Sequence, residues 1–135
     1  VGAGKIGTAL CGYQDFRRQG FFIEAVFDSD PAKVGHRIGD LEVRSGSELE
    51  EALRSESIDI VIVAVPAEAA QEVVDRVVRA GVRGILNFAP TQLRVPEGIE
   101  VKYVNMAMEM EGLSFALANG PSSRRGRRSR NEPGN

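Results

Sequence analysis

The run Ile60-Val61-Ile62-Val63-Ala64-Val65 is apolar at every position instead of every second one. A strand with one wet face alternates, so an unbroken run marks a strand covered on both faces, as in a parallel sheet. Other β-rich stretches flank it: Phe21–Phe27 and Glu42–Arg44 before, Gly84–Phe88 and Glu100–Val104 after. Helical punctuation fills the intervals. Asp30-Pro31 offers an N-cap and then a proline at the first helical position, where its missing N–H costs nothing. Ser47-Glu48-Leu49-Glu50 reads as a capping box ahead of Leu49, Ala52 and Leu53. Ala67 to Ala80 carries Ala70, Val73, Val74, Val77 and Val78 at helical spacing and stops at Gly81. Strands alternating with helices predict an α/β fold with a doubly wound parallel sheet.

A chain of 135 residues is about one domain. Its 17 basic and 19 acidic residues nearly cancel, but five of the arginines and one of the acids lie beyond residue 118. The remaining body is therefore acidic, a poor surface for nucleic acid, whose affinity rests on Lys and Arg. With a single cysteine, Cys11, there is no disulfide framework, and a reducing cytoplasm fits. The longest apolar run, Ile58 to Pro66, is broken at Asp59 and too short to span a bilayer, so no membrane partner is expected. Three zones follow: 1–104, a 105–118 amphipathic segment and a 119–135 tail. The tail has Gly, Ser, Pro, Asn and Arg without apolar periodicity and is expected to be disordered. Its arginines read as a solvated terminus or, less simply, as a contact for nucleic acid.

Gly2-Ala3-Gly4-Lys5-Ile6-Gly7 fits G-x-G-x-x-G. In that pattern the first glycine makes the tight turn, the second lets a pyrophosphate approach the backbone and the third lets helix and strand pack closely. The helix opening there, through Thr8 to Cys11, aims its free N–H groups at the phosphates. Chance spacing of glycines is the rival reading. Asp28, 21 residues beyond Gly7 and at the end of Phe22–Phe27, is placed to bind an adenosine ribose. A carboxylate there accepts from the 2′-hydroxyl and repels a 2′-phosphate, which favours NAD(H) over NADP(H). Its plainer reading is a turn acid, as Asp30 is a cap; Lys5 faces either the phosphates or solvent. The strand ends Val65-Pro66-Ala67 and Asn87-Phe88-Ala89-Pro90 border the same crevice, with Phe88 alternatively in the core. The sheet is thus expected to be a Rossmann sheet. Because only Val1 precedes Gly2, most of its first, central strand is expected to be missing and the chain truncated there. The apolar edges left along Phe22–Phe27 and Ile60–Val65 predict aggregation.

A catalyst is hard to find. Hydride enzymes add a His, Lys or Tyr near the nicotinamide, but the only histidine, His36, reads as an exposed loop residue or an adenine-side contact. Cys11 lacks a His partner and reads as a small buried apolar side chain. No cluster has metal-ligand spacing. These features predict no catalytic and no metal residues, hence a sensor. The rivals are the cofactor domain of an NAD-dependent dehydrogenase and the CoA-binding domain of a ligase.

With these residues in place, the chain resembles the Rex family of redox-sensing transcriptional repressors over about residues 1–118. The shared strings are the glycine loop, Phe27-Asp28-Ser29-Asp30-Pro31 with Lys33-Val34-Gly35, Val65-Pro66-Ala67-Glu68-Ala69-Ala70-Gln71, and Gly84-Ile85-Leu86-Asn87-Phe88-Ala89-Pro90. The resemblance implies an N-terminal winged-helix domain, absent here, that binds operator DNA, and a Rossmann domain that binds NADH and NAD⁺. It also implies a homodimer whose last helix swaps between subunits, with NADH favouring release from DNA. An apolar pocket supports that preference, since it penalises the cationic oxidised ring and admits the neutral reduced one. Met106, Met110, Leu113 and Leu117 fall on one helical stripe behind the N-cap Asn105, serving as ordinary core or as the dimer surface. Tyr13 matches a family tyrosine that links cofactor state to the DNA-binding domain. Its usual partner is the aspartate of a V-D or I-D pair, whereas this chain has Val104-Asn105. The resemblance also implies that this aspartate pairs with an arginine of the winged-helix domain, and an uncharged amide cannot make the same ion pair.

Overall fold

The computed structural model describes residues 1–104 and Leu117, and the chain divides into a unit at Val1–Val104 and a second at Asn105–Asn135. The first unit runs α1 (Lys5–Cys11), α2 (Asp15–Arg18), β1 (Val26–Asp28), β2 (Arg37–Ile38), β3 (Leu41–Ser45), α3 (Leu49–Ser55), β4 (Ile60–Val63), α4 (Ala67–Arg79), β5 (Gly84–Asn87) and β6 (Glu100–Tyr103). β1 pairs parallel with β3, which carries β2 antiparallel on its far edge. β4, β5 and β6 form a second ladder, parallel throughout, with Val61 opposite Ile85 and Ile85 opposite Val101.

Two residues join the ladders. The Gly2 N–H donates to the Phe27 carbonyl at 2.8 Å, and the Val1 carbonyl accepts from the Ala64 N–H at 2.8 Å. The Val1 nitrogen donates to the Ile62 carbonyl. Read across, the order is β2-β3-β1, then Val1–Gly2, then β4-β5-β6, with that dipeptide in the central place that a Rossmann sheet gives its first strand. Beside it an apolar cleft of about 970 Å³ is lined by Leu10, Phe16, Phe22, Leu53, Ile60 and Ile62.

One strand is shorter than its apolar run. The expected run Phe21–Phe27 is extended only over Val26–Asp28, because β3 pairs with just those three residues. Phe21 and Phe22 have no ladder and stand 52% and 60% exposed. Pro31 does not start a helix either. Asp30 caps a single turn, accepting from the Ala32 N–H at 2.9 Å, and Gly35 (φ +89°) ends it. The capping box sits two residues earlier than expected. Ser45 accepts from the Ser47 N–H, and Glu48 accepts from the Ser45 N–H, across a 3-10 turn at Gly46–Glu48.

The core forms where α3 and α4 cover β4 and β5. Leu49, Ala52 and Leu53 meet Ala70, Val74 and Val77 over Val61, Val63 and Ile85. Arg76 ties the two helices by bonding both the Glu50 carboxylate and the Gly46 carbonyl. Leu49 is fully buried. Leu49→Ala should destabilise the protein by about 2–5 kcal/mol, read as a lower urea midpoint with an unchanged slope.

Candidate functional site

The crevice starts from the glycine loop. Gly2 has φ +104°, and a Cβ there would lie 2.3 Å from the Ala64 carbonyl oxygen, so only glycine lets the loop rest on the end of β4. On the other side Asp28, the last residue of β1, holds the loop. Its Oδ2 accepts from the Ala3 N–H at 2.8 Å and its Oδ1 from the Asp30 N–H at 2.8 Å. Each carboxylate oxygen keeps a further lone pair. Asp28 is thus a latch between strand and loop as well as an acceptor available to a sugar. Beyond the loop, α1 begins where the Thr8 N–H reaches the Gly4 carbonyl at 2.9 Å, and the Thr8 hydroxyl donates to the Ala3 carbonyl at 3.2 Å. Ala3, Gly4, Lys5, Thr8, Ala9 and Lys33 line an open hollow of about 600 Å³.

Lys33 was not singled out in the sequence as a site residue. The turn after Asp30 folds back under Gly35 and brings the Lys33 Nζ to 4.0 Å from the place a Gly4 Cβ would occupy. A lysine five positions beyond the ribose acid, ahead of a glycine, was the available signal.

The strand ends after β4 and β5 close the other half. The Phe88 N–H donates to the Val63 carbonyl at 2.8 Å, which sets half-buried Phe88 next to Ala64 and Val65, with exposed Pro66 beyond. Two expectations need correction here. Asn87 does not offer its amide to the crevice, because the side chain is fully buried and its bonds go to Ala89 and Thr91. Ala89 is 5% exposed and belongs to the core.

A loop of this geometry between two strand ends is a nucleotide-binding arrangement, and a family model described as "CoA binding domain" matches residues 1–91. The chain belongs to the CoA-binding domain family. Among the proteins similar to it are repressors. The redox-sensing transcriptional repressor Rex of Carboxydothermus hydrogenoformans is 50% identical over 117 residues, 87% of this chain and 56% of that protein. The crystal structure of RSP, a Rex-family repressor, in complex with beta-NADH superposes with a TM-score of 0.81 at 35% identity, covering 87% of this chain and 56% of RSP. RSP with beta-NAD⁺ and operator DNA gives 0.80 at 32% identity, covering 97% and 59%. The chain spans about half the length of the relatives it matches.

In this CoA-binding family domain the other singled-out residues scatter. Tyr13 lies just past α1, exposed, its hydroxyl donating to Asp15 at 3.2 Å and its ring edge-on to Phe16. His36 is exposed on the backbone leading into β2. Cys11 is half-buried, and burial pushes its thiol above the usual range, away from the reactive thiolate. Asn105, Met106, Met110 and Leu113 lie outside the described residues, while Leu117 is helical. Among the described residues no His, Cys, Asp or Glu group could hold a metal, and no helix is long and apolar enough to cross a membrane.

Proposed function

We propose that this chain is the NAD(H)-binding and dimerising part of a Rex-type redox sensor, which regulates transcription without catalysing a reaction. The observation that carries the reading is the glycine loop held between the Asp28 carboxylate and the end of β4. A diphosphate lies over Gly2, Ala3, Gly4, Lys5, Ile6 and Gly7, with Lys33 added as a second cation at the hollow. Asp28 accepts from the ribose hydroxyls, and Val65, Pro66 and Phe88 supply the apolar wall for the nicotinamide. The neutral reduced ring enters that wall more readily than the cationic oxidised one. The homodimer forms through residues 105–118, and operator DNA is bound outside this chain, whose residues 1–118 are acidic. The relatives named Rex and the RSP complexes with NADH, NAD⁺ and operator DNA favour this over a dehydrogenase or a ligase.

Thermal protection tests it. NADH should raise the melting temperature more than NAD⁺, and both more than NADPH. Equal shifts with NADH and NADPH would remove the role given to Asp28. Protection by coenzyme A alone would move the chain to the ligase reading.

A further inference from the structure

We infer that Gln71, Asn87 and Tyr103 are positioning residues that hold the loop after β5 in shape as the nicotinamide-side wall of the crevice. The inference rests on the NAD(H) reading above and assigns residues that reading does not use. Residues 88–99 contain no helix or strand, and such a segment ordinarily leaves its backbone groups to water and moves accordingly. Here three side chains from three different elements take those groups over.

Asn87, the last residue of β5, donates to the Ala89 carbonyl at 3.1 Å and the Thr91 carbonyl at 3.2 Å, and accepts from the Ala89 N–H at 3.0 Å. Both amide hydrogens and the amide oxygen are thereby used within the loop. A fully buried amide is tolerated only with such bonds, and all of them shape the loop. Gln71, on α4, brackets one residue from both sides. Its Oε1 accepts from the Arg94 N–H at 2.8 Å and its Nε2 donates to the Arg94 carbonyl at 2.9 Å. A further bond from Nε2 to Asp75 at 2.8 Å fixes the amide's orientation. The Tyr103 hydroxyl, at the end of β6, treats Leu93 in the same way, accepting from its N–H at 3.0 Å and donating to its carbonyl at 3.4 Å.

Between these bonds Ala89 and Leu93 are pegged into the core. The loop is therefore anchored at residues 89, 91, 93 and 94, and Phe88 is held by its own bond to Val63. A wall fixed before the ligand arrives loses little entropy on binding and distinguishes a flat cationic ring from a puckered neutral one. A loose wall would adapt to both.

The adenosine half of the coenzyme lies at the glycine loop and Asp28, so loosening the far loop should affect one half only. Gln71→Ala and Tyr103→Phe avoid the core, unlike any change at Asn87, and each removes a bracket. We expect each variant of the full chain to bind NADH about tenfold more weakly while ADP-ribose binds as in wild type. The bound nicotinamide should also show lower fluorescence anisotropy. Equal losses for NADH and ADP-ribose, or no loss for either, would overturn the positioning role. Wild-type protein that binds ADP-ribose but gains nothing from the nicotinamide would overturn it as well. Wild-type protein that binds neither compound would overturn the NAD(H) reading and this inference together.

Discussion

Gly7→Ala is expected to abolish NADH binding and to lower the melting temperature steeply. Gly7 is buried in the first turn of α1, and a Cβ there would lie 1.8 Å from the Gly2 carbonyl oxygen and 2.9 Å from the Gly2 carbonyl carbon. Both are backbone atoms, so no rotamer change relieves the clash. Either α1 moves away from the loop or the loop leaves its seat against Ala64 and Asp28. Overpacking costs about 1–3 kcal/mol, and a backbone clash belongs at the upper end. About 3 kcal/mol corresponds to roughly 11–14 °C in a domain of about 100–135 residues. The control is Gly12→Ala at the end of the same helix, where the nearest atoms are 3.7 and 3.9 Å away and φ is −87°. Gly12→Ala should melt and bind NADH like wild type. A Gly7→Ala protein indistinguishable from it would show that the close seat of α1 on the loop is wrong.

The second large effect falls on Asp28. Removing its carboxylate leaves the Ala3 and Asp30 N–H groups without their acceptors. Hydrogen bonds to charged groups contribute about 1.5–3 kcal/mol each. The loop must therefore be re-formed at each binding event, while the ribose loses its acceptor too. Asp28→Ala should weaken NADH roughly 100-fold or more at about 1.4 kcal/mol per decade. Asp28→Asn separates the two roles. It keeps an acceptor oxygen but no charge, so NADH binding should fall less while NADPH, freed from repulsion at its 2′-phosphate, approaches NADH in affinity. Isothermal titration of both coenzymes against both variants reads this directly. An Asp28→Asn protein that still rejects NADPH as strongly as wild type would show that the carboxylate does not set coenzyme choice.

Much of this site was legible before any tertiary contact was known. The glycine spacing and the acid 21 residues later have a local geometric cause, and the Ile60–Val65 run and the α4 stripe are periodic signals. What escaped notice depended on partners distant in the chain. Ile38-Gly39-Asp40-Leu41 holds a two-residue hairpin turn whose signal is weak without its pairing of Arg37 with Glu42. Ser45 and Ser47 are equally good caps by residue type, and the direction of the chain leaving β3 chose Ser45. Asn87 at a strand end looked like a ligand contact because an exposed amide would be one, and its burial reversed that reading.

The order of amino acids alone determined that the chain is a layered α/β domain with a G-x-G-x-x-G loop and an acid 21 residues beyond it. Those properties follow from backbone freedom at glycine and from which side chains shun water, and both act over a few residues. Only the tertiary structure decided that Asp28 also latches the loop, that Lys33 folds back over it, and that Gln71 and Tyr103 clamp a segment 23 and 10 residues away. Hydrogen bonds need their partners within about 3 Å, and that proximity exists only once the sheet has brought its strand ends together.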